Sequence, residues 1–226
     1  MGGIDIHMGQ QICDVKKKEC LNLYKIFWVF VVFSVVGTLS EGIYWIFRYG
    51  HFDLRAGMIY GPFSQVYGVA TVLALVLLYG FRNKSSLYIF FMAYIISVCF
   101  EFTFSIVQEW IFGYTSWEYN DSNFALLGRA NLIYAIPWAL FGLLLIKLIY
   151  PWFSKVLSRI PRKPIVIITW IVFIFMIFNA VVSAAAVYRY QQRQDNIPAT
   201  NVIQTQLDQH YPDAFLEKRF ARLGRK

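Results

Sequence analysis

The stretch LYIFFMAYIISVCFEFTFSIVQEWIF, residues 87–112, is long and apolar enough to cross a bilayer, yet it holds Glu101 and Glu109. A carboxylate at the centre of a membrane helix costs about 2.5–3.5 kcal/mol or more, so it is turned inward and paired. At about 100° per residue, Ser97, Glu101, Ser105, Gln108 and Glu109 share one face, with Phe91, Tyr94 and Phe102 opposite. The helix therefore has a polar inside and a lipid side, and the rest of the chain has to supply partners for that inside.

The composition agrees. The chain has 226 residues, 58% of them hydrophobic, 19% aromatic and only 15% charged. A soluble domain would carry about a quarter charged residues. The apolar surplus is gathered in runs too long for core helices, which predicts an all-α integral membrane protein. The formal charge of +8 raises the question of nucleic acid. Its lysines and arginines sit at the ends of apolar runs, however, which points to topology signals and membrane lipid headgroups and against nucleic acid. Cys13, Cys20 and Cys99 are odd in number and have no metal spacing, and His7, His51 and His210 are scattered. No metal site, cofactor motif or nucleotide-hydrolysis motif is legible, and the run after Lys25 is too long for a cleavable signal.

Around residues 87–112 the pattern predicts a bundle of about five transmembrane helices. The first runs from about Asn22 to Phe47. The second run, 56–81, opens with GMIYGPFSQVYG, where Gly61-Pro62 breaks regular helix; the span then begins near Pro62, preceded by a broken or re-entrant segment. The fourth helix runs from about Asn131 to Tyr150, and the fifth from Pro164 to Tyr188. Domain organisation follows: a polar tail over 1–21, a membrane domain over 22–188, and a C-terminal amphipathic tail over 189–226. In that tail Val202, Ile203 and Leu207, then Phe215, Leu216 and Phe220, recur at helical spacing, with Pro212-Asp213 restarting the chain. Lys16–Lys18, Lys25, Arg82, Lys84, Lys147, Lys155 and Arg159 fall on one side, so the positive-inside rule favours a cytoplasmic N-terminus and an external tail in the cell membrane.

Depth then brings the polar residues together. Glu41 lies 16 residues beyond Lys25 and Glu101 lies 17 beyond Lys84. Both acids thus stand about 24–26 Å from the inner surface, with Asn179 at nearly that level. Ser34, Thr38, Glu41, Tyr44 and Arg48 share a face of the first helix. These positions predict a polar cavity in the outer half of the bundle, lined by Glu41, Glu101, Asn179, Tyr44, Ser105 and Gln108. At its rim the spacing predicts ion pairs among Arg48, Glu109, Arg129 and Glu118, with Arg48 facing Glu109. Trp110, Trp117 and Tyr119 read as interface anchors.

The ordered motifs GTLSEGIYW (37–45), GMIYGPFSQVYGVA (57–70), FEFTFSIVQEW (100–110), SWEYND (116–121) and LLGRANL (127–133) resemble the bacterial ABC-transporter permease family known as type IV, or CmpB-like. The resemblance covers roughly residues 26–215. It carries the family pattern onto Glu41, Tyr60, Gly61, Pro62, Tyr67, Gly68, Glu101, Glu109, Trp117, Tyr119, Gly128 and Arg129. The chain departs from the family at Arg55-Ala56-Gly57, where an Asn-Arg-Gly is usual, and at Gln65, where a Pro is usual. The resemblance implies a permease subunit working with a separate ATPase on the cytoplasmic side. That ATPase would dock on the basic loops at 82–84 and 147–163, where Trp152–Arg162 has the makings of a coupling helix. A homo-oligomer is compatible with the same pattern. Two other functions fit the residues: a non-transporting sensor or assembly partner with the acids as helix glue, and a membrane-embedded enzyme using Glu41 and Glu101 as an acid/base pair on lipid-linked substrates.

Overall fold

The structure, a computed structural model, describes residues 21–52, 54–220 and 223–224. The polar N-terminal tail with His7, Cys13, Lys16–Lys18 and Cys20 lies outside the described residues. Helix α1 spans Leu23–Tyr49, α2 Gln65–Tyr79 and α3 Ser86–Phe112. After a long loop come α4 (Ala135–Leu144), a π-helical turn (Leu145–Ile149) and α5 (Tyr150–Arg159), then α6 (Arg162–Gln194). Two short helices close the chain, α7 (Val202–His210) and α8 (Asp213–Arg219). The protein is an all-α membrane bundle; among the described residues, four helices are long and apolar enough to span a bilayer, and α2 is a shorter apolar helix.

Local chemistry sets the helix ends. Asn22 caps α1 by accepting from the Lys25 N–H at 2.9 Å. Gly50 and Gly113 end α1 and α3 in the left-handed region, at φ 77° and 65°. The 15 residues of α2 rise only about 22 Å, against the roughly 30 Å of a hydrocarbon core. Residues 55–64 precede it as non-helical chain.

The fourth span is longer than its hydropathy implied. It does not end at Tyr150 but runs on through Pro151 to Arg159, so residues 147–159 are helix, not a basic loop. Pro151 has no N–H and its ring crowds the carbonyl four residues back. The chain accommodates it by widening one turn, in which the Tyr150 N–H donates to the Leu145 carbonyl. Likewise α6 does not end at Tyr188: it continues to Gln194 and carries Arg189 and Arg193.

The helices assemble as two pairs, α1 with α2 and α3 with α4, and α2 bridges to both α3 and α4. The tightest approach is between α1 and α2. A Cβ on Gly37 would overlap the Tyr67 side chain, and one on Gly68 would overlap Ser34 and Phe30. With lipid tails as apolar as leucine, such small-residue contacts supply the close packing that drives helix association. At the other end Val29, Leu75, Leu78, Ile89, Ala139 and Leu145 form the main apolar cluster. There Lys25 is buried and donates to Ser154 Oγ at 2.7 Å, which ties the start of α1 to α5.

The C-terminal tail folds back onto the bundle. Arg189, only 3% exposed, donates to both carboxylate oxygens of Asp208 on α7, to Gln192 and to the Ile197 carbonyl. Arg193 pairs with Asp208 and Asp213, each at 2.5 Å. Leu216 of α8, with Phe220 and Leu223 just after it, packs with Ile59, Val187 and Tyr190. Arg219 then reaches the non-helical segment: its Nε donates to the Met58 carbonyl at 2.7 Å and its Nη2 to the Gly61 carbonyl.

Candidate functional site

A backbone that leaves helix inside a membrane has to find partners among side chains. Segment 55–64 does so. The Tyr60 N–H donates to Asn179 Oδ1 at 3.0 Å and the Tyr60 carbonyl accepts from Asn179 Nδ2 at 2.7 Å, so one amide side chain satisfies both backbone groups. The Ile59 N–H donates to Ser183 Oγ at 2.9 Å and the Ser64 N–H to the Ser34 carbonyl at 3.1 Å. Gly57 and Gly61, at φ 71° and 74°, supply the left-handed turns that the detour needs. The break predicted at Gly61-Pro62 is thus a clasped loop, held by α6 from one side and by Arg219 from another.

That loop, the first turns of α2, and helices α1, α3 and α4 enclose a cavity of about 210 Å³. Glu41 from α1 and Glu101 from α3 both line it, together with Tyr67, Gln108 and Arg55. The Tyr67 hydroxyl donates to Glu41 Oε2 at 2.9 Å, a contact made possible by the glycine approach at Gly37. Glu101 is 7% exposed, and its Oε2 accepts from the Asn131 N–H at 3.1 Å. Gln108 clamps the following loop, donating to Ser116 Oγ at 2.9 Å and accepting from the Ser116 N–H at 3.2 Å. Six more aromatic side chains line it, Phe100, Tyr114, Trp117, Tyr119, Trp138 and Phe141, and small or aliphatic residues such as Ala70, Ala74, Ala93 and Ile96 fill in between them.

The roof over Glu101 comes from a two-residue hairpin that periodicity alone did not reveal. Ala125–Leu126 pairs antiparallel with Ala130–Asn131. In the three-residue connection Leu127 and Gly128 both lie at positive φ, 50° and 70°, and the Arg129 N–H closes the primed turn on the Leu126 carbonyl at 3.0 Å. The Leu-Gly pair in LLGRAN was the available signal. The hairpin delivers the Asn131 N–H to Glu101 and delivers Arg129 to α3, where it donates to Glu109 at 2.5 Å and to Ser105 Oγ at 3.3 Å. Behind it, burial and then the nearby Glu101 charge hold the Tyr119 phenol above its ordinary pKa.

Several predicted positions fall elsewhere. Arg48 does not face Glu109; its guanidinium lies 5.8 Å from the Tyr49 ring centroid in the last turn of α1. The partner of Glu109 comes instead from the hairpin, which places Arg129 on it. Asn179 is fully buried but spends its amide on Tyr60, not on the cavity. Tyr44 is 55% exposed and outside the cavity wall. Ser105 is buried behind the wall, accepting from Arg129. Glu118 stands in the loop, accepting from Asn120 Nδ2. Tyr60 reaches the Tyr211 hydroxyl at 2.6 Å, Pro62 follows it in the clasped loop, and Gly68 packs on Ser34. Conversely, Trp117 and Tyr119 line the cavity, whereas Trp110 is exposed. Arg55, Trp138 and Phe141 join the wall without having been singled out. Among the described residues, no three of His, Cys, Asp and Glu gather into a metal-holding group.

No curated protein and no solved structure matches the chain. A family described as "Putative ABC-transporter type IV" matches residues 28–184, a stretch that holds all five apolar helices except the first turn of α1 and the last turns of α6 and includes the whole cavity wall. With more than half of its length matched, the chain belongs to that family of membrane proteins.

Proposed function

We propose that the protein is the membrane permease subunit of an ABC-type transporter, holding its solute between α1–α2 and α3–α4. The observation that carries this reading is the convergence of Glu41 and Glu101, from different helices, on one cavity beside a broken helix. Carboxylates kept inside a membrane at such a place mark solute pathways. The chain acts in this reading as a conduit, with ATP hydrolysis supplied by a separate subunit. The N-terminus is cytoplasmic and the clasped loop with its C-terminal tail is external, so the cavity opens toward the outer side. The inner face presents Arg82, Lys84 and Lys147 together, since Lys147 Nζ donates to the Arg82 and Lys84 carbonyls at 3.0 and 2.9 Å. This braced basic corner, next to α5, is where the ATPase docks.

The test is purification of the full chain from native membranes in mild detergent. The reading expects a second polypeptide with ATP hydrolysis activity in constant ratio, released by charge reversal at Lys84 and Lys147. Isolation as a lone homo-oligomer with no ATPase activity would count decisively against it and favour a sensor or assembly partner.

A further inference from the structure

The cavity is long, and its chemistry changes along its length. On α2 its lining runs from Gln65 to Ala74, a rise of about 14 Å. Helix α3 runs the opposite way beside it, so Gln108 stands near the Gln65 end and Ala93 near the Ala74 end. At the first end, beside the clasped loop, Ser64, Gln65 and Tyr114 line the cavity, with Tyr119 further in, near Glu101. The side-chain hydroxyls and amide of these four have no hydrogen-bond partner among the described residues, and each remains accessible. Ser64 even stands at the N-cap of α2 without capping it. All four are uncharged, so what they offer a ligand does not turn on the ionisation of Glu41 or Glu101. At the second end the lining is Ala70, Ala74, Ala93, Ile96, Phe141 and Gly142. There α3 and α4 come together: a Cβ on Gly142 would lie 2.7 Å from the Ala93 Cβ and 3.4 Å from Leu78.

A hydroxyl or amide inside a membrane protein costs free energy until something bonds it. Water satisfies the first end but not the second, since an apolar cavity stays dry. A wholly hydrophilic solute likewise leaves the alanines uncovered, and a hydrocarbon leaves the hydroxyls bare. A molecule with both parts fits both ends. The volume, about 210 Å³, equals about seven waters at about 30 Å³ each, which sets the size at about six to eight carbons with a small head.

We propose that this cavity binds a short single-chain amphiphile with an uncharged, hydrogen-bonding head, of the alkanol or fatty-amide class. The head bonds Gln65, Tyr114 and Tyr119, and the tail lies along Ala70 and Ala74 toward Ala93 and Gly142. The assignment rests on the cavity being the solute site of a permease, and it sets the class of that solute.

The experiment is photolabelling of the full chain in lipid nanodiscs with 1-octanol carrying a diazirine at carbon 7, mapped by mass spectrometry. The expected result is saturable labelling within residues 70–74, 93–96 and 141–142. Unlabelled 1-octanol displaces it, while n-octane at the same mole fraction in the lipid, and glycerol in the buffer, each compete at least about tenfold more weakly. Ala74→Phe fills the tail end and is expected to cut the labelling about tenfold. Displacement by n-octane or by glycerol as effective as by 1-octanol, or no saturable labelling of these segments in wild-type protein, would overturn the proposal without any variant having to fold. None of these outcomes touches the permease reading, which stands or falls on the associated ATPase.

Discussion

Replacing Asp208 with alanine should undock α7 from the end of α6. Asp208 accepts from Arg189 Nε at 2.9 Å, from Arg189 Nη2 at 2.8 Å and from Arg193 Nη1 at 2.5 Å. Hydrogen bonds to charged partners contribute about 1.5–3 kcal/mol each. The loss is graded by what remains. Arg193 keeps Asp213, and Arg189 keeps Gln192 and the Ile197 carbonyl, but Arg189 is 3% exposed and would be left as a buried cation with neutral partners only. Breaking a fully buried pair costs about 3–5 kcal/mol. Because the Asp208 side chain is 26% exposed, we expect a net loss of about 2–3 kcal/mol here. Amide hydrogen exchange across 202–210 reads it directly, as a loss of protection of about 30- to 150-fold. The carboxyl is held below its usual range first by the Arg189 hydrogen bond, with Arg193 adding to it against the opposing pull of burial. Its folded pKa being lowered, the stabilisation is complete above about pH 3.9, the unfolded value, and fades as pH falls through the folded one. Acidification of wild-type protein below pH 4 should therefore reproduce the variant's exchange pattern in α7. Unchanged protection in the alanine variant would refute this account of how the tail is held.

Gly37→Ala puts a Cβ into the Tyr67 side chain. An overpacking loss of about 1–3 kcal/mol is expected in thermal unfolding, and a second substitution, Tyr67→Ala, should relieve part of it. Asn179→Leu strands both the N–H and the carbonyl of Tyr60. It should cost at least about 2 kcal/mol and raise exchange at residues 59–61 ahead of the rest of the bundle. Arg129→Gln removes an ion pair whose side chains are 30% and 53% exposed. Its effect on unfolding should stay below about 1 kcal/mol, and a larger one would mean that the hairpin depends on the pair.

The membrane class and the inward face of α3 were legible because a carboxylate in an apolar run has few places to go; Glu101, Ser105 and Gln108 are the buried polar positions of that helix. Helix periodicity and depth also put Glu41 near Glu101. What depth does not encode is azimuth. Arg48 turns onto the Tyr49 ring, and a partner for Glu109 arrives instead from a hairpin only two residues long on each side. Asn179 shows the same limit: its partner is the non-helical backbone at Tyr60, which no side-chain pattern announces. The ends of the fourth and fifth runs were misread because hydropathy falls before helicity does. Pro151 is absorbed by a π turn, and Arg189 and Arg193 stay helical because Asp208 and Asp213 meet them there.

Solute flux is the most direct test of the central claim. The full chain, reconstituted in proteoliposomes with its co-purifying ATPase, is loaded with ATP on the ATPase side and assayed for movement of labelled solute. The account predicts ATP-dependent flux that the Glu41→Gln, Glu101→Gln double variant loses while the ATPase stays bound. Undiminished flux in that variant would contradict it.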